Sequence, residues 1–355
     1  MKKILKVCLF LILAFASSVA FAAIATVENK PDWRAQLFIA NQVKGIGLVD
    51  SYQEDGINRS YVYDNSLAAI SCMASGNFGL AKEILDTLAK EVLNNAQGMP
   101  YESYIFTNTN GAGSGEAFTG NIAWLLQAMN IYQKLKASTQ YFNYQKKFAD
   151  YLISQQSPDG GIRGSYFDDW RSTEHNLAAY VALRNFSRLN NLSSYLTKAN
   201  KVKTFLRSSK IWNGNYFNAG PNDAWLYTDV QALGVLVLGA ASYSPALNYA
   251  ENHLKLSRPF GSATVTGFDY NNDRDTIWLE GTLQMSLAYY KSGNATLGNY
   301  YYNEAKKALS ADGACLLATN PGTANTYWYL EPWRAIAPTA WVILCRYKFN
   351  PLVQY

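Results

Sequence analysis

Six stretches of this chain set a carboxylate beside a tryptophan or tyrosine, and they recur at a nearly constant interval. They are Tyr61-Val-Tyr63-Asp64-Asn65, Glu116-Ala-Phe-Thr119-Gly120-Asn121-Ile-Ala-Trp124, Trp170-Arg171-Ser-Thr-Glu174-His175-Asn176, Asp223-Ala-Trp225-Leu-Tyr-Thr-Asp229, Asp275-Thr-Ile-Trp278-Leu-Glu280-Gly281-Thr-Leu-Gln284 and Trp328-Tyr-Leu-Glu331-Pro-Trp333. Aromatic rings stack on the flat apolar faces of sugars, while carboxylates and amides bond the hydroxyls, so the pattern suits a carbohydrate site. Two carboxyl groups flanking a glycosidic bond can also hydrolyse it, one protonated as general acid and the other ionised as general base. Glu116, after a Gly-rich loop, and Glu280, two residues after Trp278, are the candidate acids; Asp64, next to Tyr61 and Tyr63, and Asp229 are the candidate bases, Asp64 the first of them. Tyr63, Trp170, Glu174, His175, Trp225, Asp229, Trp278, Gln284 and Trp333 are the candidate substrate contacts. A plainer reading exists for the acids: Asp and Glu in a helix's first turn complement its dipole and cap its free N–H groups without any chemistry.

Other chemistries fit fewer residues. A lyase needs a base to take the proton beside a uronate carboxylate and a neutralising partner for that carboxylate; His175 and Asn176, with Arg171 and Tyr180, are the residues for it. The many acids argue against an anionic substrate. A glycan-binding protein without catalysis would use the same aromatics. The only histidines are His175 and His253 and no Cys-x-x-Cys pair exists, so the common zinc patterns are missing, and no metal or cofactor is expected. Neither an Asp-Asp-x-x-Asp run, a phosphate-cradling loop nor a Gly-x-Ser-x-Gly elbow occurs.

The elements that position these residues are helices. Apolar residues recur at helical period in twelve segments, about 33–45, 64–75, 77–93, 117–136, 139–156, 173–188, 193–209, 226–241, 244–256, 278–292, 295–309 and 333–347, with almost no alternating strand pattern. Alternate segments differ in kind. Asp229 to Ala241 and Asn176 to Leu183 are apolar nearly all round, as buried helices are, whereas Ala81 to Leu93 and Tyr301 to Leu309 keep charge on one face. The apolar helices begin near 64, 118, 173, 226, 278 and 333, a steady interval that means a repeat of helical hairpins. The first amphipathic segment has no inner partner before it and the last apolar segment has no outer partner after it. They complete each other if six inner and six outer helices close into an all-α (α/α)6 toroid, and the loops leading into the inner helices then share one rim.

The motif Asp275-Thr-Ile-Trp278-Leu-Glu280-Gly281-Thr-Leu-Gln284-Met-Ser-Leu-Ala288, with Thr173-Glu174-His175-Asn176 and Thr119-Gly120-Asn121-Ile-Ala-Trp124, resembles bacterial proteins of the six-hairpin glycosidase superfamily. The resemblance spans most of 50–345. It implies the toroid and a carbohydrate substrate, with hydrolases, polysaccharide lyases and sugar epimerases all represented, and it favours inversion over retention if the reaction is hydrolysis.

Composition agrees with a folded exported enzyme. With 49% hydrophobic and 16% charged residues the 355-residue chain is neither disordered nor coiled coil. Lys2, Lys3 and Lys6 precede an apolar run ending in Ala20-Phe21-Ala22, a secretory leader over 1–22, which leaves 23–355 as one toroidal domain. Removing three lysines takes Lys+Arg from 31 to 28 against 26 acids, a net charge of +2 and no nucleic-acid footprint. No later run spans a membrane, so a periplasmic or secreted monomer with a carbohydrate substrate is expected. Cys72, Cys315 and Cys345 remain after the leader and leave one disulfide open.

Overall fold

The computed structural model describes residues 33–355 other than 46, 93, 106–111, 224 and 325–327; the leader expected over 1–22, with Cys8, lies outside the described residues. Among the described residues thirteen α-helices carry the fold: α1 (Trp33–Asn41), α2 (Val62–Ala74), α3 (Phe78–Asp86), α4 (Thr119–Lys136), α5 (Phe142–Ser154), α6 (Thr173–Asn190), α7 (Ser193–Leu206), α8 (Thr228–Leu238), α9 (Ala240–Tyr243), α10 (Pro245–His253), α11 (Leu279–Lys291), α12 (Ala295–Lys306) and α13 (Ile336–Arg346). The inner ring is α2, α4, α6, α8, α11 and α13. Each packs against the next, and α13 packs against α2, so the ring is closed. The outer helices are α3, α5, α7, α10 and α12, and α1 completes them by packing on α13. The leftover first and last segments are therefore one hairpin split across the chain.

The two kinds of helix follow from what each must bury. In α2 every residue from Leu67 to Ile70 is fully buried, and in α8 the whole run Thr228 to Val237 is buried, so small and branched apolar side chains fit on all sides. In α3 and α12 only one face is buried, and lysines stand on the other. α8 stops short of the expected 241 because Gly239 takes a left-handed φ of 101°, and a separate turn, α9, precedes Pro245.

Hydrogen bonds repeat around the ring as regularly as the helices do. The first amide of each inner helix donates to a carbonyl in the loop leading to the next repeat: Val62 to Glu102 (3.0 Å), Thr119 to Gly164 (2.8 Å), Thr173 to Ala219 (2.7 Å), Thr228 to Tyr270 (2.9 Å), Leu279 to Leu317 (3.0 Å), and Ile336 back to Ser51 (3.1 Å). The fourth residue of five of these helices accepts from a backbone N–H 14 to 24 residues earlier in the chain. Asn65 takes Val49 N–H, Asn176 takes Ile162, Gln231 takes Phe217, Thr282 takes Phe268 and Thr339 takes Cys315. Helix starts are thus held by loop carbonyls and polar clamps rather than by acidic caps, since only Ser172 caps an inner helix with its side chain.

The far end of the ring is sealed by the last residues. Leu352 is fully buried. Gln127 donates to Pro351 O (2.9 Å), Asn185 to Val353 O (2.7 Å) and accepts from Tyr355 N–H (2.9 Å), and Asn350 donates to Leu236 O (3.1 Å), so the tail is tied to α4, α6 and α8.

Strands are more numerous than the sequence pattern suggests. A two-stranded hairpin, Lys255–Phe260 with Ala263–Phe268, connects the fourth outer helix to α11, and a three-stranded sheet joins Arg59–Tyr61, Ser103–Ile105 and Ala112–Ser114. In the hairpin only Val265, Gly267 and Phe268 are buried, and the first strand, which includes Pro259, has no fully buried residue to mark it. Cys72, Cys315 and Cys345 are buried thiols and no disulfide joins them. Among the described residues no helix is long and apolar enough to cross a membrane.

Candidate active site

The N-terminal ends of the inner helices surround a cavity of about 480 Å³. The second residue of all six lines it: Tyr63, Gly120, Glu174, Asp229, Glu280 and Ala337. Three of these six equivalent positions are acids, and Asp64, one residue further along α2, adds a fourth. No lysine or arginine is among the cavity residues. Aromatic walls stand between them, from Tyr52, Tyr61, Trp124, Tyr227, Tyr270, Trp278 and Trp328.

Glu280 is the most constrained of the acids. Tyr63 Oη (2.5 Å), Gln284 Nε2 (3.2 Å) and Trp341 Nε1 (3.2 Å) all donate to its Oε1, and no hydrogen bond among the described residues reaches Oε2. Burial pushes its pKa from 4.5 to about 8, the charges of Asp64 and Asp229 push the same way, and the Tyr63 and Trp341 bonds pull against them. A protonated Glu280 therefore carries its proton on Oε2, the oxygen its three donors leave open. Asp64 is raised to about 7 by burial, opposed by a hydrogen bond from Ser51. Burial also raises Asp229 to about 7, helped by the charge of Glu174 and opposed by its bond from Val230 N–H (2.7 Å). Glu174, whose Oε1 accepts from Trp124 Nε1 (2.8 Å), is raised to about 7 by burial. Mutual repulsion and burial oppose ionising such a cluster together, so its members titrate as a coupled group.

His175 sits against this group without ionising. Burial lowers its pKa to about 4, Nδ1 has no hydrogen-bond partner, and its Nε2 lies 3.7 Å from Glu174. The ring occupies the space over Gly120, where any Cβ would run into it. This is why the second position of α4 is glycine.

The sequence candidates divide three ways. Asp64, Tyr63, Trp170, Glu174, His175, Asp229, Trp278, Glu280 and Gln284 are brought together around the cavity. Glu116 is not: it precedes α4 by three residues, after Gly115 at a left-handed φ of 79°, and its carboxylate accepts from Ser165 in a separate recess of about 220 Å³. Trp225 stands outside the cavity on its rim, and Trp333 lies behind the wall with its ring 6.0 Å from Tyr52. The cavity also holds Tyr52, Glu102, Tyr227 and Tyr270, which lie in loops or on strands and carry no helical register to single them out. Aligning the six repeats on their helix starts is the signal that would have separated Glu280 from Glu116. Among the described residues one carboxylate group, Asp269, Asp273 and Asp275, is close enough to share an ion, but its oxygens already accept from Tyr270, Thr276 and Thr323.

Solved structures resemble this chain over nearly its whole length. A glycosidase variant in complex with glucose matches with a TM-score of 0.70 at 10% identity, over 91% of this chain and 96% of its own. The fold is the six-hairpin (α/α)6 toroid. A cellobiose 2-epimerase from Bacillus thermoamylovorans matches at 0.68 and 10% identity over 88% and 97%, and a D-mannose isomerase at 0.67 and 11% over 92% and 97%. These neighbours are carbohydrate-active enzymes of more than one reaction type. No protein-family model and no curated sequence matches the chain.

Proposed function

We propose that this protein is an exported glycoside hydrolase acting on a poly- or oligosaccharide, with Glu280 as general acid and Asp64 as general base. The observation that carries the reading is the Glu280 carboxyl, raised to about 8 with three donors on one oxygen and the other open to the cavity. At neutral pH such a group is a proton donor aimed by its own hydrogen bonds. In the reaction Glu280 Oε2 gives its proton to the glycosidic oxygen as the C–O bond breaks. Asp64, whose ionised form the Ser51 bond favours, takes a proton from the water that attacks the anomeric carbon. Asp229 and Glu174 bind sugar hydroxyls, and Tyr63, Trp124 and Trp278 exclude water and pack the ring faces. The absence of lysine and arginine from the cavity lining favours a neutral sugar over a uronate.

Product mass after incubation of residues 23–355 with neutral and acidic polysaccharides tests this. Fragments carrying one added water, lost in Glu280→Gln and in Asp64→Asn, are the expected result. Fragments without that water would mark a lyase, and a changed sugar of unchanged mass would mark an isomerase or epimerase; either overturns the reading and directs attention to His175. N-terminal sequencing of the exported protein, expected to begin at Ala23, tests the leader.

A further inference from the structure

A second hollow opens beside the cavity on the same rim. It has a volume of about 700 Å³ and is walled by Asp169, Trp170, Arg171, Asp223, Trp225 and Asn272, among others. Trp170 belongs to both hollows, so the two are continuous through one indole. Trp170 is 43% and Trp225 45% exposed, an uncommon state for two large rings facing the same space. Neither is loose. The Trp170 indole lies over Gly220, where a Cβ would come within 3.1 Å of its Nε1, and it meets His175 edge-on at 6.0 Å. Trp225 is parallel to Tyr227 within 7°, at 6.4 Å between centroids, and Tyr227 lines the cavity. A ring plane set in the cavity is thus repeated in the hollow outside it.

The cation there, Arg171, is already paired, as is Asp169, while Asp223 accepts from Trp225 N–H. Arg171 Nη1 is 2.5 Å from Asp159, and Asp169 is 2.9 Å from Arg163. What the hollow offers a ligand is aromatic faces with amides and carboxylate oxygens between them, the same chemistry as the cavity and no surplus cation for an acidic chain.

We infer that the Trp170–Trp225 hollow is a second set of sugar subsites, so that the substrate is a chain of several neutral pyranose units running out of the cavity across the rim rather than a free mono- or disaccharide. The inference rests on the cavity being a sugar site, as proposed above, but not on the bond being hydrolysed. Its test is binding, read by calorimetry on the Glu280→Gln protein with cello-, malto-, xylo- and manno-oligosaccharides of two to six units. In at least one of these series affinity should climb with length, and Trp225→Ala should cut the ratio of hexasaccharide to disaccharide affinity by about tenfold, with Trp225→Tyr recovering most of it. A ratio near one, a ratio that Trp225→Ala leaves alone, or no binding by any series overturns the inference. Hydrolysis of a disaccharide with a flat length dependence would remove the inference and leave the hydrolase reading. A steep length dependence in a protein that releases no hydrolysed product would do the reverse.

Discussion

Replacing Glu280 by glutamine should make this protein more stable while abolishing its activity. The carboxyl has a pKa of about 8 in the folded chain against 4.5 as a model group. At pH 7 the unfolded chain has released that proton and the folded chain holds it, so folding must take it up from solution. The interval from 4.5 to 7 is 2.5 pH units, and at about 1.4 kcal/mol per unit the cost is about 3 kcal/mol. The sign is fixed by the direction of the shift. A raised folded pKa contributes stability that is complete below 4.5 and is lost as pH rises through 8. Glutamine keeps an oxygen for the Tyr63, Gln284 and Trp341 donors and needs no proton, so the variant escapes that loss. The difference in melting temperature should be near zero at pH 4, on the order of 5 °C at pH 7, and larger at pH 8. Thermal unfolding of both proteins across pH 4 to 8 reads it directly. A difference that does not change with pH, or a wild type more stable than the variant at pH 8, would refute the account of the buried acid.

Four further outcomes follow from the same contacts. The whole protein should lose stability from pH 5 to pH 8: Asp64, Glu174 and Asp229 at about 7 and Glu280 at about 8 all favour acid, and His175, lowered to about 4, opposes them singly; a melting curve that rises over that range contradicts this. Glu116→Gln should keep turnover within about threefold of the parent, because the residue lies in the Ser165 recess, and a loss of a hundredfold or more would return it to the reaction. Gly120→Ala should drive His175 off its seat and lower kcat/KM at least tenfold with the fold retained, as steady-state rates beside circular dichroism would record. Leu352→Ala should cost about 2 to 5 kcal/mol in denaturant unfolding, since the side chain is wholly buried in the seal at the far end of the ring.

The toroid was legible because its signal is redundant. Five nearly equal intervals, two helix types and two unmatched ends all pointed to a closed ring, and observed starts at 62, 119, 173, 228, 279 and 336 differ from the expected ones by three residues or fewer. The site was legible only in part. Asp64, Glu174, Asp229 and Glu280 sit in first turns, where helical register fixes direction, while Glu116 sits before a helix, where a single left-handed glycine decides where the next side chains go. Trp278 was a candidate stacking platform and is 5% exposed with its indole packed against Gly281, so it serves as wall and core at once. Of the cavity tyrosines Tyr63 was a candidate, while Tyr52, Tyr227 and Tyr270 were missed because aromatic residues abound in this chain and loops give them no period.

The raised carboxyls run against what helix ends ordinarily do, and the repeat explains it. An acid in a helix's first turn gains about 0.3 to 1 kcal/mol, at most about 2, from the partial positive charge on free N–H groups, which should lower its pKa. In this ring the first N–H of every inner helix already donates to a carbonyl of the following loop, so part of that charge is answered before the carboxylate arrives. Against what remains stands desolvation in a cavity without cations. For Glu280 the shift from 4.5 to about 8 corresponds to about 5 kcal/mol favouring the neutral form. The larger effect wins. The same hydrogen bonds that close the ring therefore help to keep its acids protonated at neutral pH, which ties the chemistry of the cavity to the closure of the fold.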